Sequence, residues 1–151
     1  MWRFMKATGM TLGVLVAALL VMQLIPYGRA HDNPPVVQEP AWDSPRTREL
    51  AVRACFDCHS NETKWPWYSH VAPMSWVVQR EVDVGRSVLN FSEWTREYEL
   101  ASASGTSVIS REMPPAKYRW VHEESVLTHE EKVELADGMH ATFGELHERV
   151  K

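Results

Sequence analysis

Five consecutive residues, Cys55-Phe56-Asp57-Cys58-His59, place two thiols and an imidazole within a few ångströms of backbone. Cys-x-x-Cys-His is the attachment pattern of a c-type haem. Each thiol adds across one vinyl group of the porphyrin. The two-residue spacer lets both sulfurs reach the same ring edge and leaves His59 beneath the iron as an axial ligand. The chain has two cysteines in all, so this pentapeptide uses both. Three other readings compete. A thiol–disulfide site usually opens a helix in a βαβ context, and the sequence has no convincing strand pattern. A structural zinc site wants four ligands, commonly in two pairs; there is no second cysteine pair, and adding His70 to the motif matches no common zinc module. The last is coincidence. One covalent haem c on Cys55, Cys58 and His59 is the expectation that organises the rest.

A small electron-carrying haem is usually six-coordinate, with methionine or histidine opposite the proximal histidine. Downstream of the motif stand Met74, Met113, Met139, His70, His122, His129, His140 and His147. Met113 is favoured. It lies 54 residues after His59, far enough for two helices to wrap the ring. Pro114 and Pro115 follow it, which pushes Met113 toward an extended loop conformation, so its thioether need not compete with helix packing. Met139 fits an apolar helix stripe instead, and Met74 reads as a core side chain at a helix start. His140 and His147 stand seven apart on one helix face, as simple packing would have them. A histidine ligand and an open site are the alternatives.

The elements that must position these groups read as helices. Ser44-Pro45 is a helix start, with Ser as N-cap and Pro in the first turn, and it predicts a helix over 45–56 that the haem motif closes. Residues 61–73 form a loop, because Pro66 and Pro73 forbid a regular helix. Its Trp65, Trp67 and Tyr68 are expected to pack inward near the cofactor, with a haem propionate as one partner for their polar ends. A helix follows over 74–90, with Val78, Val82, Gly85 and Leu89 on one stripe. Gly85 there permits close approach of another helix or of the ring. Arg80 and Arg86 lie off the stripe, where solvation is preferred over a propionate contact. Ser92 is expected to cap a short helix beginning Glu93-Trp94, and the small polar stretch 101–107 to form a loop or weak helix break. Thr128 with Glu131 is a capping box that opens a helix over 129–148, carrying Val133, Ala136, Met139 or His140, Phe143 and Leu146. No strand or internal repeat is predicted, so the domain is expected to be all-α.

Three regions follow: an N-terminal membrane anchor over 1–30, a Pro-rich tether over 31–43 in which His31 reads as a surface histidine, and a haem-binding domain over 44–151. Residues 7–25 carry no charge across 19 positions, enough to cross a bilayer as a helix. Arg3 and Lys6 precede the run and keep the N-terminus cytoplasmic. Gly28-Arg29-Ala30 also offers small residues to a signal peptidase, yet the apolar run is longer than a cleaved signal needs. Either outcome exports the remainder, the compartment in which haem is attached to such cysteine pairs. Arg3, Lys6 and Arg29 are the charged side chains up to residue 30; taking them from the formal charge of −4 leaves −7 on the remainder. A binder of phosphate backbones needs the opposite sign, so nucleic acid is excluded as a partner. Seven tryptophans suit a domain that wraps a flat cofactor, or a rich aromatic core.

Several runs together resemble the bacterial haem-binding domain family of small, membrane-anchored monohaem c-type cytochromes: Cys-Phe-Asp-Cys-His-Ser-Asn-Glu-Thr at 55–63, Trp-Pro-Trp-Tyr-Ser at 65–69, Ala-Pro-Met-Ser-Trp at 72–76, Gly85-Arg86, Leu-Asn-Phe-Ser-Glu-Trp at 89–94 and Met-Pro-Pro at 113–115. The likeness spans about 34–135. It implies covalent haem through Cys55 and Cys58, iron ligation by His59, and a class I cytochrome c-like use of Met113. The stretch 101–107 and the tail after 136 depart from it, and the family brings no established partner.

The expected function is a single-electron carrier, not an enzyme. It would sit in the bacterial inner membrane as a single-pass protein, with its haem domain in the periplasm and redox proteins of the membrane or periplasm as partners. A peroxidase-like enzyme would need an open iron site with acid–base residues over it, and no histidine stands out for that role. A haem-based sensor would need an output module supplied by a partner.

Overall fold

The computed structural model describes residues 2–144, with side chains from Thr8 onward. Among the described residues the regular structure is helical, with one isolated bridge between Gln38 and Glu93 in place of any strand. The chain divides into two compact units: the residues up to His31 with Trp65–Glu81, and Asp32–Lys64 with the chain from Val82 onward.

The first unit begins with α1, Trp2–Met22. Its apolar side chains at Leu12, Val14, Leu15, Leu20 and Val21 are all more than half exposed. Among the described residues no helix is long and apolar enough to cross a membrane; Arg3 and Lys6, expected to orient the anchor, lie outside the described side chains. The Gln23 amide meets the backbone of Ala72 on both sides, donating to its carbonyl at 2.9 Å and accepting from its N–H at 3.0 Å. Gly28 has φ +75° and touches the Ser75 carbonyl so closely that a Cβ would lie 2.1 Å from it, so only glycine fits. His31 stacks on Trp65 with ring centroids 4.7 Å apart. A 3₁₀ turn over Trp67–His70 leads into α4, Met74–Val88, whose first half belongs to this unit.

The second unit holds α2 (Pro45–Ala54) and α3 (Phe56–His59), the end of α4, then α5 (Ser104–Ile109), α6 (Ala116–Arg119) and α7 (His129–Phe143). Ser44 caps α2 as expected, its hydroxyl accepting from the N–H of Thr47 at 3.1 Å. The reciprocal capping box of Thr128 and Glu131 opens α7. The part of α7 predicted beyond residue 144, with Leu146 and His147, lies outside the described residues. Leu50, Phe56, Phe91, Leu135, Met139 and Phe143 form the core. Phe91 is its centre, with Trp42, Phe56 and Phe143 at centroid distances of 5.1, 5.6 and 6.1 Å.

Two predicted elements differ. Stretch 101–107 is helical, a 3₁₀ turn at Ala101–Ala103 running into α5. Gly105 explains it: a Cβ there would lie 2.5 Å from Nε2 of His140 and 2.8 Å from the Ala136 carbonyl, so α5 lies directly on α7 and buries Val108. The short helix after Ser92 does not form. The Ser92 hydroxyl accepts from the N–H of Asn61 at 2.9 Å, and its carbonyl accepts from Val37 and Gln38. The groups that would cap a helix are taken by distant backbone. The same bonds join residues 37–38 to this unit, and Glu39 accepts a two-pronged contact from Arg48 at 2.6 and 2.7 Å.

Candidate functional site

The two cysteines and His59 share one turn because α2 stops between them. Cys55 leaves the helical region at φ −126°, ψ −35°, and the backbone restarts as α3 on the N–H of Cys58 and His59, both bonded to the Cys55 carbonyl. The predicted single helix over 45–56 is therefore interrupted at Cys55, and the two cysteines and His59 lie within one short turn. Neither cysteine is in a disulfide. Burial, helped by neighbouring Cys58, pushes the Cys55 thiol up to about 12.

His59 is held from behind. Its Nδ1 lies 3.0 Å from the Leu89 carbonyl and 3.1 Å from that of Gly85. Carbonyls only accept, so Nδ1 carries the proton and Nε2 the lone pair. Burial lowers the affinity of the ring for a second proton, against the opposing pull of those two carbonyls, which favours the neutral, ligating form. One acceptor, Gly85, lies in the last turn of α4 and the other, Leu89, directly follows the helix; Gly85 brings them near, since a Cβ on it would stand 2.3 Å from the Cys58 carbonyl. The close approach expected of Gly85 is thus made to the motif's own backbone.

The strand of chain after the motif is bonded through Arg86. Its guanidinium donates to the carbonyls of Ser60 and Asp32, to Oδ1 of Asn33 and to Oγ1 of Thr63, at 2.8 to 3.1 Å. The solvated role expected for Arg86 is corrected, and these bonds take up the fork that a propionate would need. Arg80 is exposed, as expected.

Met113 stands apart from the turn but in the same unit, between α5 and α6, in a non-helical bend. It is 41% exposed, so its thioether is not spent on the core. Its N–H donates to the Ser107 carbonyl at 3.1 Å. The rivals fare as follows. Met139 is fully buried in the core, and His140 packs on Gly105. His122 stacks on Tyr118 with centroids 4.1 Å apart. Met74 is 43% exposed, not the core side chain expected. His129 is exposed at the start of α7, and His70 lies edge-on to His31 in the first unit. Among the described residues no group of three or more His, Cys, Asp or Glu is placed to hold a metal ion, so the Cys2His2 zinc set gains no support.

A residue that sequence reasoning passed over is Asp57, the second spacer between the cysteines. Its Oδ2 accepts from the Tyr118 hydroxyl at 2.5 Å and its Oδ1 from the N–H of Lys64 at 2.9 Å. No spacing rule pairs residues 57 and 118, so nothing in the sequence announces the bond. In the first unit, Arg29 Nε, Trp65 Nε1, Trp76 Nε1 and the Ser75 hydroxyl are buried without partners. Three of these four can only donate. Of the loop aromatics expected to pack inward, Trp65 and Tyr68 are half-buried, but Trp67, which opens the 3₁₀ turn, is 79% exposed and the expectation is corrected there.

The donor set suits a covalently attached haem: two thiols three residues apart, a neutral imidazole with its tautomer set, and a thioether outside the core. A family described as a haem-binding domain matches this chain over residues 17–141. No curated protein and no solved structure matches it.

Proposed function

Since this chain belongs to the haem-binding domain family, we propose that it is a membrane-anchored monohaem c-type cytochrome that carries single electrons on the periplasmic side of the bacterial inner membrane. The observation that carries the reading is the His59 ring, its Nδ1–H shared between the Gly85 and Leu89 carbonyls, which leaves Nε2 as the ligating atom. Haem c, when bound, supplies a one-electron ferric–ferrous couple. Cys55 and Cys58 would hold it through thioethers. His59 would ligate the iron, and its bonds from Nδ1 raise its basicity and keep the ring from rotating. Met113 would be the second side chain to hold the iron, and a thioether ligand favours the ferrous state relative to bis-histidine ligation. With the iron held by two side chains, the protein would exchange electrons without binding substrate.

The uncharged run over 7–25 supports the anchor, since its 19 residues approach the ~20 that a bilayer core needs, and the α1 side chains from Thr8 to Val21 are exposed. A tether of this kind would raise the effective concentration of the carrier near membrane redox partners. A class I cytochrome c-like arrangement is supported by the all-helical second unit, with the motif early and Met113 late in it.

The test is spectroscopic. Purified protein should give a pyridine haemochrome with one haem per chain, and its colour should resist acid–acetone extraction. The oxidised form should show an iron–methionine charge-transfer band at ~700 nm that Met113→Ala abolishes. A high-spin form that binds carbon monoxide readily would point to a haem enzyme or sensor instead.

A further inference from the structure

We infer that Tyr118 is a positioning residue: its hydroxyl latches the segment bearing Met113 to Asp57, inside the haem-attachment turn, and so holds the thioether on the iron. The inference rests on the reading of Met113 as the second axial ligand.

Two hydrogen bonds and short stretches of backbone connect the segment of Met113 to the turn of His59. The N–H of Met113 donates to the Ser107 carbonyl. The carbonyl of Pro114 accepts from Nη1 of Arg119. Beside Arg119, the Tyr118 hydroxyl crosses 61 residues of sequence to Oδ2 of Asp57 at 2.5 Å. Asp57 is in turn fixed by the N–H of Lys64 on its other oxygen, and it sits next to Cys58 and two residues from His59.

Packing does little of this work. α6 is a four-residue helix with no buried side chain, Met113 is 41% exposed, and neighbouring Trp120 and Val121 are 83% and 62% exposed. A segment with so few buried apolar contacts belongs to the easily opened part of a fold. The 2.5 Å bond from the Tyr118 hydroxyl to the Asp57 carboxyl group is the long-range polar tie available to hold it. Burial, with the Asp57 carboxylate, keeps the Tyr118 hydroxyl protonated and therefore a donor. The ring is independently placed by its stack on His122, with planes 12° apart, so deleting the hydroxyl leaves the aromatic contact in place. Thioether–iron ligation tolerates no large displacement of the sulfur, so freeing α6 from Asp57 should release Met113 part of the time.

The experiment compares the intact haem protein with Tyr118→Phe, Asp57→Ala, Asp57→Asn and the double variant Tyr118→Phe/Asp57→Ala. Two readouts are used: the iron–methionine band of the oxidised form, and the rate of carbon monoxide binding to the reduced form. Denaturant midpoints are measured alongside. Tyr118→Phe and Asp57→Ala should each speed carbon monoxide binding by roughly tenfold or more and weaken the band. The double variant should go no further than either single change. Asp57→Asn, which keeps an acceptor oxygen, should lie nearer the wild type. A lowered midpoint with unchanged band and carbon monoxide rate would show a merely structural bond and overturn the latch, as would additive effects in the double variant. A wild-type protein without the band overturns the Met113 reading and the latch with it. A wild-type band that survives intact in Tyr118→Phe overturns the latch alone.

Discussion

Gly85→Ala tests the packing that orients His59. A Cβ at this position would stand 2.3 Å from the Cys58 carbonyl oxygen, 2.9 Å from its carbon and 3.0 Å from Cys58 Cβ, where ordinary contact begins at 3.4 Å. Two of these three atoms are backbone, so the helix must back away by about 1 Å, a displacement of the kind that costs roughly 1–3 kcal/mol in a packed interior. The same displacement draws the Gly85 and Leu89 carbonyls away from Nδ1 of His59. Bonds of 3.0 and 3.1 Å would pass the limit of a hydrogen bond and leave a buried donor unpaired, at roughly 1–3 kcal/mol. Alanine opposes this with about 1 kcal/mol of better helix propensity. The net expectation is a loss of about 1–5 kcal/mol, read as a lower midpoint in denaturant titration of the haem-loaded protein. A raised reduction potential should accompany it, because the imidazole loses the bonds that enrich its donation to iron. Gly13→Ala in α1, where a Cβ would meet nothing within 4 Å, is the control: it should not lower the midpoint and should leave the potential unchanged. If Gly85→Ala were as stable as the wild type with an unaltered potential, the propensity term would have won and the close approach of α4 to the motif would be refuted.

Three further outcomes are expected. Phe91→Ala should lower stability by about 3–5 kcal/mol, because the ring is 1% exposed at the centre of the aromatic core; a change under about 1 kcal/mol in calorimetry or denaturant titration would place the core elsewhere. The Arg48 guanidinium bonded to Glu39 holds its carboxyl below the usual range, against the opposing effect of burial. Its folded affinity for a proton is therefore the lower one, so its contribution is complete above the unfolded value of 4.5 and is lost as the pH falls through the folded value. Glu39→Gln should flatten that acid limb by about 0.5–1 kcal/mol, measured by unfolding titrations at several pH values; an unchanged limb would show that the ion pair contributes nothing. The protein should stay with the membrane pellet after salt and carbonate washes, and Val16→Lys/Leu20→Lys should release it, each lysine costing about 2.5–3.5 kcal/mol near the centre of a span. Unaltered retention of the double variant would mean that α1 is not the anchor.

What the sequence determined alone are the features whose causes lie within a few residues. The motif of Cys55, Cys58 and His59 is legible because an attachment pattern is a matter of spacing within five residues. The Ser44 cap and the Thr128–Glu131 box are legible because a side chain there satisfies backbone three residues away. That the regular structure of the described residues is helical followed from periodicity and from the absence of strand patterns. What only the tertiary structure decided are the features whose partners are distant or carry no side-chain identity. The His59 tautomer is set by two backbone carbonyls, and any residue presents a carbonyl. α5 forms because Gly105 lies against α7, while no helix follows Ser92 because its hydroxyl and carbonyl are taken by Asn61 and by residues 37–38. Arg86 is drawn from solvent to the chain on either side of the motif, and Tyr118 finds Asp57 across 61 residues. The physical reason is common to all of these: a hydrogen bond or a close backbone approach depends on where the chain returns in space, and local spacing encodes a contact only when both of its ends are near each other in sequence.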